Sequence, residues 1–316
     1  MITGLLGIGI GISLAIQTAA NSQLRRFVIS PYLASGVSFV IATLFLAIIM
    51  LIIGQPFGIP IDIFINEPIW IWLGGFCGVI GLTANILLFA KIGSVQTAIL
   101  PILGQVIMGM LIDNFGWFNS IQQPFDLYRI SGVILVLVGV FFAVAFQDIL
   151  LKRNKNIKTS TNSEGQVNQW IWRLIGIGAG MLMAVQFAIN GELGSTLGSP
   201  VQAALVSFLI GSITLITVVS LKAGTFSRLK NPFEQKAPWW VWIGGILGGS
   251  YVLINVYLVN EIGTGQTVIL ALFGQITGSI VVERFGLFDS SKNKTSWVQI
   301  IGLIMMLIGV IVVQLE

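Results

Sequence analysis

Long apolar runs separated by short polar breaks make up almost the whole chain. Ten such runs stand out, at roughly 3–24, 32–53, 69–90, 94–113, 129–147, 171–191, 200–221, 239–260, 264–282 and 297–315. Each is poor in charge and about 20 residues long, which at ~1.5 Å rise per residue crosses ~30 Å of hydrocarbon as a helix. The breaks carry Ser30-Pro31, Gly54-Gln55-Pro56, Ser199-Pro200 and Asn231-Pro232, residue pairs that stop or start helices. One break is long. Residues 148–169 hold Lys152, Arg153, Lys155 and Lys158 around a Thr/Ser/Asn-rich middle and read as a flexible, solvated linker. The opening segment 2–24 lacks a basic leader and exceeds a signal-peptide core, so a retained helix is expected.

The pattern is written twice. Residues 93–118 read GSVQTAILPILGQVIMGMLIDNFGWF, and 170 positions later 263–288 read GTGQTVILALFGQITGSIVVERFGLF, identical at ten positions that include Gly93/Gly263, Gly104/Gly274, Gln105/Gln275, Gly116/Gly286 and Phe118/Phe288. Gln17, Asn21 and Ser30-Pro31 recur as Gln186, Asn190 and Ser199-Pro200. Trp70, Trp72, Gly74, Gly75, Gly78 and Asn85 recur as Trp240, Trp242, Gly244, Gly245, Gly248 and Asn255, and Gly132 and Gly139 as Gly302 and Gly309. Two homologous five-span halves are therefore expected, at 1–147 and 171–316, joined by a linker at 148–170. Because five is odd, the halves must cross the membrane in opposite senses. The expected fold is an all-α integral membrane protein of ten transmembrane helices in two inverted five-helix repeats.

Charge tests that topology. Of the 16 basic residues, only Arg129 falls on the side opposite the linker, and Lys91 on one side corresponds to Glu261 on the other. Such a bias puts the linker in the cytoplasm and both termini outside. Composition agrees with the class: 55% of residues are hydrophobic and 9% charged, whereas a soluble domain carries roughly 25% charged residues. There is no histidine and a single cysteine, Cys77, which excludes an internal disulfide and any cysteine-based metal site. No cofactor is expected.

An inverted repeat is an architecture of secondary transporters, whose substrate lies near mid-membrane between the repeats. The candidate substrate-binding residues are the recurring amides Gln17, Asn21, Gln105, Gln186, Asn190 and Gln275. Gln17 and Asn21 are four apart and share a helix face, as do Gln186 and Asn190. The competing role is glue, because amides also hydrogen-bond across membrane helices at about 0.6 kcal/mol each. Asn85 and Asn255 lean to packing against the glycine-rich faces beside them, and the small-xxx-small spacings at Gly74/Gly78/Gly81 and Gly176/Gly180 also suit close helix approach. Trp70, Trp72, Trp117, Trp239, Trp240 and Trp242 suit interfacial anchors. No ionisable residue lies mid-span, which disfavours a central proton relay. Asp113, Glu192 and Glu283 at span ends are the candidates for coupling or gating, although Glu283-Arg284 suits an ordinary interfacial charge better than a gate-like ion pair. The loose Gly7-x-Gly9-x-Gly11 sits inside a membrane helix and carries no nucleotide-site signal, and no catalytic motif stands out.

The two five-span halves with LGQ…IDNFGWF and FGQ…VERFGLF segments resemble the drug/metabolite transporter superfamily, and within it the YdcZ-like bacterial group in its fused ten-helix form. The likeness covers the chain apart from the linker. It implies a multi-pass protein of the bacterial cytoplasmic membrane that carries small organic molecules, with export as one direction. Small multidrug exporters of the superfamily use a membrane-embedded glutamate in the first helix; here that region holds Gln17 and Gln186, so that mechanism does not transfer. The expected partners are a small-molecule substrate and the lipid bilayer, with no nucleic acid, and the working unit is a monomer or homodimer. The expected function is alternating-access transport; the rival is a lipid-handling or lipid-sensing membrane protein without a soluble substrate.

Overall fold

The computed structural model describes residues 2–146, 163–221, 226–290 and 296–313. The side chains of Asn85, Lys91, Gln96 and Thr97 lie outside the described set, as do Lys152, Arg153, Lys155 and Lys158 of the linker and Lys222, Lys292 and Lys294. Among the described residues every regular element is helical. The principal helices are α1 (Ile2–Val28), α2 (Pro31–Ile53), α3 (Gly74–Phe115), α4 (Leu127–Val140), α5 (Ser163–Thr196), α6 (Pro200–Ser220), α7 (Ile243–Ile262), α8 (Thr264–Phe285) and α9 (Trp297–Val313). Among the described residues, six stretches are long and apolar enough to cross a membrane: Ile2–Val28, Pro31–Ile53, Trp170–Thr196, Pro200–Ser220, Trp239–Ile262 and Thr264–Phe285. Ile99–Phe115, Leu127–Ala143 and Trp297–Val313 are shorter apolar helices.

The repeated punctuation becomes repeated cap geometry. Ser30 Oγ accepts from Leu33 N at 3.3 Å and Ser199 Oγ from Gln202 N at 3.2 Å, each with proline opening the helix that follows. A serine oxygen satisfies an orphan N–H while proline has none to satisfy, so Ser-Pro is a strong start signal. The repeated FGxF is the matching stop. Gly116 (φ 64°) and Gly286 (φ 63°) take the left-handed conformation that glycine reaches without Cβ strain. Phe118 then packs edge-on against Trp70 with ring centroids 5.3 Å apart, and Phe288 against Trp240 at 5.4 Å. The recurring tryptophans thus lock the chain reversals of their own repeat.

At 42 residues, α3 would be ~63 Å long if straight, about twice a bilayer core. It doubles back instead. Both Leu88 and Leu100 lie beside Gly176 of α5, although twelve residues of straight helix would separate them by ~18 Å. Gly74 and Gly78 face Asn190 and Gln186, while further on Gly104 meets Ile177, and Asn119, just past the end of α3, meets Glu192. The first arm, up to Leu88, therefore runs antiparallel to α5 and the second, from Leu100 onward, parallel to it. These arms correspond to the expected runs at 69–90 and 94–113. In the other half, α7 and α8 clasp α1 the same way: Gly244 and Gly248 face Asn21 and Gln17, Gly274 meets Ile8, and Gln23 Nε2 donates to Asp289 O at 3.0 Å.

Where like meets like, contacts are reciprocal. Thr43 and Ser212 occupy equivalent repeat positions on α2 and α6, and their hydroxyls lie 3.1 Å apart. Phe39 and Phe208, also equivalent, meet edge-on at 4.9 Å. On α4 and α9, Gly132 packs on the Gly309 carbonyl and Gly139 on that of Gly302. A buried cluster including Ile10, Leu46, Val106, Phe187, Tyr251, Leu270 and Met306 fills the space where the halves join.

Candidate functional site

The recurring amides fill notches left by glycine. A Cβ on Gly74 would fall on Asn190 Oδ1, and one on Gly244 would fall on Asn21 Oδ1. A Cβ on Gly78 would sit 2.9 Å from Gln186 Nε2, and one on Gly248 2.6 Å from Gln17 Nε2. Each amide pair therefore seats its polar ends against bare backbone of the opposite half, which only glycine permits. Satisfaction is incomplete. Among the described residues, Gln17 Oε1, Gln186 Oε1 and both amide atoms of Asn190 are buried without a hydrogen-bond partner. Asn21 differs: its Oδ1 accepts from Ser38 Oγ at 2.5 Å.

Gln105 and Gln275 are half-buried. Gln105 Nε2 lies 3.7 Å from Met183 Sδ on α5, and the backbone nitrogen of Gln275 packs beside Gly11 of α1. Among the described residues no hydrogen bond joins Gln17, Gln105, Gln186 or Gln275 to another of the four. One turn from Gln105, Met108 helps line an apolar groove of about 430 Å³ floored by Gly178, Leu182 and Val185 and walled by Ile80 and Ala84.

The carboxylates separate sharply. Asp113 and Arg129 have 0% side-chain exposure, so Asp113 is no ordinary interfacial charge. Its Oδ1 accepts from Thr264 N and its Oδ2 from Gly265 N, each at 2.8 Å, at the N-terminus of α8. A helix N-terminus presents unpaired N–H groups and the positive end of its dipole, so a carboxylate fits there. Gly263 opens this corner with φ 85° and ψ 168°, a combination essentially confined to glycine. Arg129 Nη2 stands 3.5 Å from Asp113 Oδ2. Its Nη1 donates to Gln123 O at 2.7 Å, and Nη2 also donates to Gln123 Oε1. Gln123 in turn reaches Gln266 and the Ile262 carbonyl, at 3.3 and 3.4 Å.

Close by, Asn119 Nδ2 donates to Glu192 Oε1 at 2.8 Å. Glu283 lies half-buried in the last turn of α8, at the other end of that helix. Sequence reading passed over Arg129, Gln123 and Ser38 as site residues. For Arg129 a signal existed, since it alone breaks the charge bias. For Gln123 and Ser38 none did.

Known proteins add the family. Residues 2–142 and 171–312 each match the family DMT_YdcZ, described as "Putative inner membrane exporter, YdcZ". Over 121 residues the chain is 23% identical to the inner membrane protein YdcZ of Escherichia coli (strain K12), a match spanning 38% of this chain and 78% of that one. A solved crystal structure superposes with a TM-score of 0.67 over 99% of this chain and 96% of the other at 12% identity, a likeness of fold alone. With both halves matched, the chain belongs to the YdcZ family of the drug/metabolite transporter superfamily, multi-pass inner membrane transporters and not enzymes.

Proposed function

We propose that the chain is a secondary carrier that moves a small polar organic solute, metabolite or drug-like, across the bacterial cytoplasmic membrane by alternating access. In this reading ten spans form two inverted five-helix halves, 1–147 and 171–316, joined by a cytoplasmic linker at 148–170, with both termini outside. The reciprocal clasp carries it: α1 sits between two spans of the other half, α5 likewise, and both bring unpaired amide atoms to the junction. An unsatisfied buried polar group costs about 1–3 kcal/mol, so a solute that bonds these atoms gains what the dry interface forgoes. Gln17, Asn21, Gln186 and Asn190 make the first contacts in this scheme, and Gln105 and Gln275 complete the lining. Uncharged amides suit a neutral or zwitterionic solute. Asp113, Glu192 and Glu283, at the span ends, are left for coupling or gating.

Ligand binding to the folded state raises its apparent stability, so a thermal-shift screen of purified protein against metabolites and cations identifies the solute. Flux of that solute into proteoliposomes then tests the lining. Gln105→Leu and Gln275→Leu are expected to lower flux at least tenfold with expression and melting temperature unchanged. Flux equal to the parent in both variants would return these residues to helix packing. The apolar groove beside α5 favours one rival, a lipid-handling protein. Scrambling of labelled lipids by purified protein, without solute flux, would select that rival.

A further inference from the structure

We propose that Asp113 is the bolt of a one-sided gate, holding the two halves shut at the end of the molecule where α8 begins and released whenever that end opens. Several polar contacts cross between the halves there. Asp113 sits on the N–H groups of Thr264 and Gly265. The Ser120 and Thr264 hydroxyls are 3.3 Å apart, Gln123 bonds Gln266 and the Ile262 carbonyl, and Asn119 bonds Glu192. Repeat equivalence puts Glu283 opposite Asp113 but Gln299 opposite Arg129, so the arginine position is not repeated in the second half.

The geometry suits a latch better than a fixed tether. Removing one member of a buried ion pair leaves an uncompensated charge, so the pair holds firmly while dry. Asp113 lies in the last turn of α3, at a span end, where a small separation of the halves admits water to both charges together. Closed and hydrated states are then both tolerable, and a half-open one is not. The cradle also sits on Gly263, the corner that joins α7 to α8. Motion of that corner carries the N–H donors away from the carboxylate. Arg129 Nε, buried and without a partner in the closed form, gains water on opening.

This inference rests on the alternating-access reading, but its readout uses no substrate, so a missing latch and a missing transport activity are separable. Cys77 is the chain's one cysteine. In a Cys77→Ala background in nanodiscs, Thr267→Cys places a buried thiol behind the latch. Its labelling by a charged maleimide should be slow, at least tenfold faster with Asp113→Asn, and slow again with Asp113→Glu. Equal labelling rates with and without Asp113→Asn, with full labelling after denaturation, would overturn the proposal.

A second arm serves if Asp113→Asn fails to fold. Ser120→Cys/Thr264→Cys in the same background should form a disulfide on oxidation. Hydrogen exchange of the 262–268 amides should then slow several-fold relative to the reduced protein. Identical exchange in oxidised and reduced protein would mean that this end does not open, and would also overturn the proposal.

Discussion

At the scale of single residues, glycines of each half make room for amides of the other. Asn190 Oδ1 occupies the position a side chain on Gly74 would need. Gly74→Ala is therefore expected to destabilise the protein by about 1–3 kcal/mol, the usual cost of overpacking. Gly74→Ala/Asn190→Ala should lose clearly less than the sum of the single changes, because the second truncation vacates the space the first fills. Thermal unfolding of the four proteins in detergent reads that coupling; strict additivity would mean that Asn190 does not sit in the Gly74 notch. The amides themselves were legible, since Gln17/Asn21 and Gln186/Asn190 recur at one offset. Their partners were not. Which helix a notch faces is decided by tertiary packing between residues more than a hundred positions apart. Asp113 was legible as a span-end acid, but its partners were not, because they arrive from Gly263–Gly265 and from Arg129 beyond the next turn.

Among the elements, the FGxF segments carry more information than their length suggests. Each is a glycine helix stop followed by a phenylalanine that docks on a tryptophan of the same half. Gly116→Ala forces an alanine into left-handed backbone and should cost about 1–2 kcal/mol. Gly116→Asn, whose side chain tolerates that region, should cost less; melting temperatures that fail to rank Gly, Asn, Ala in falling order would contradict the stop geometry. Helix starts and stops could be read from the chain because Ser-Pro and Phe-Gly act locally. Sequence alone did not reveal that each hairpin would embrace the leading helix of the other half.

For the whole molecule, family membership and the reciprocal contacts support one picture. Equivalent residues touch each other on α2 and α6, and equivalent glycines cross-pack on α4 and α9, as expected of a self-complementary interface. Gly139→Leu should wedge α4 from α9 and lower the melting temperature by several degrees, with Gly302→Leu doing the same from the facing helix. A change confined to one of the two would argue against reciprocity. The proposed carrier requires more than touching halves: it requires that they lie upside down relative to one another. Sidedness tests that most directly. Alkaline phosphatase, active only outside the cytoplasm, and a green fluorescent reporter, fluorescent only within it, would each be fused after residue 158 in the linker and after Glu316. The account predicts fluorescence without phosphatase activity at the linker and phosphatase activity without fluorescence at Glu316. Both positions reporting the same side of the membrane would contradict it.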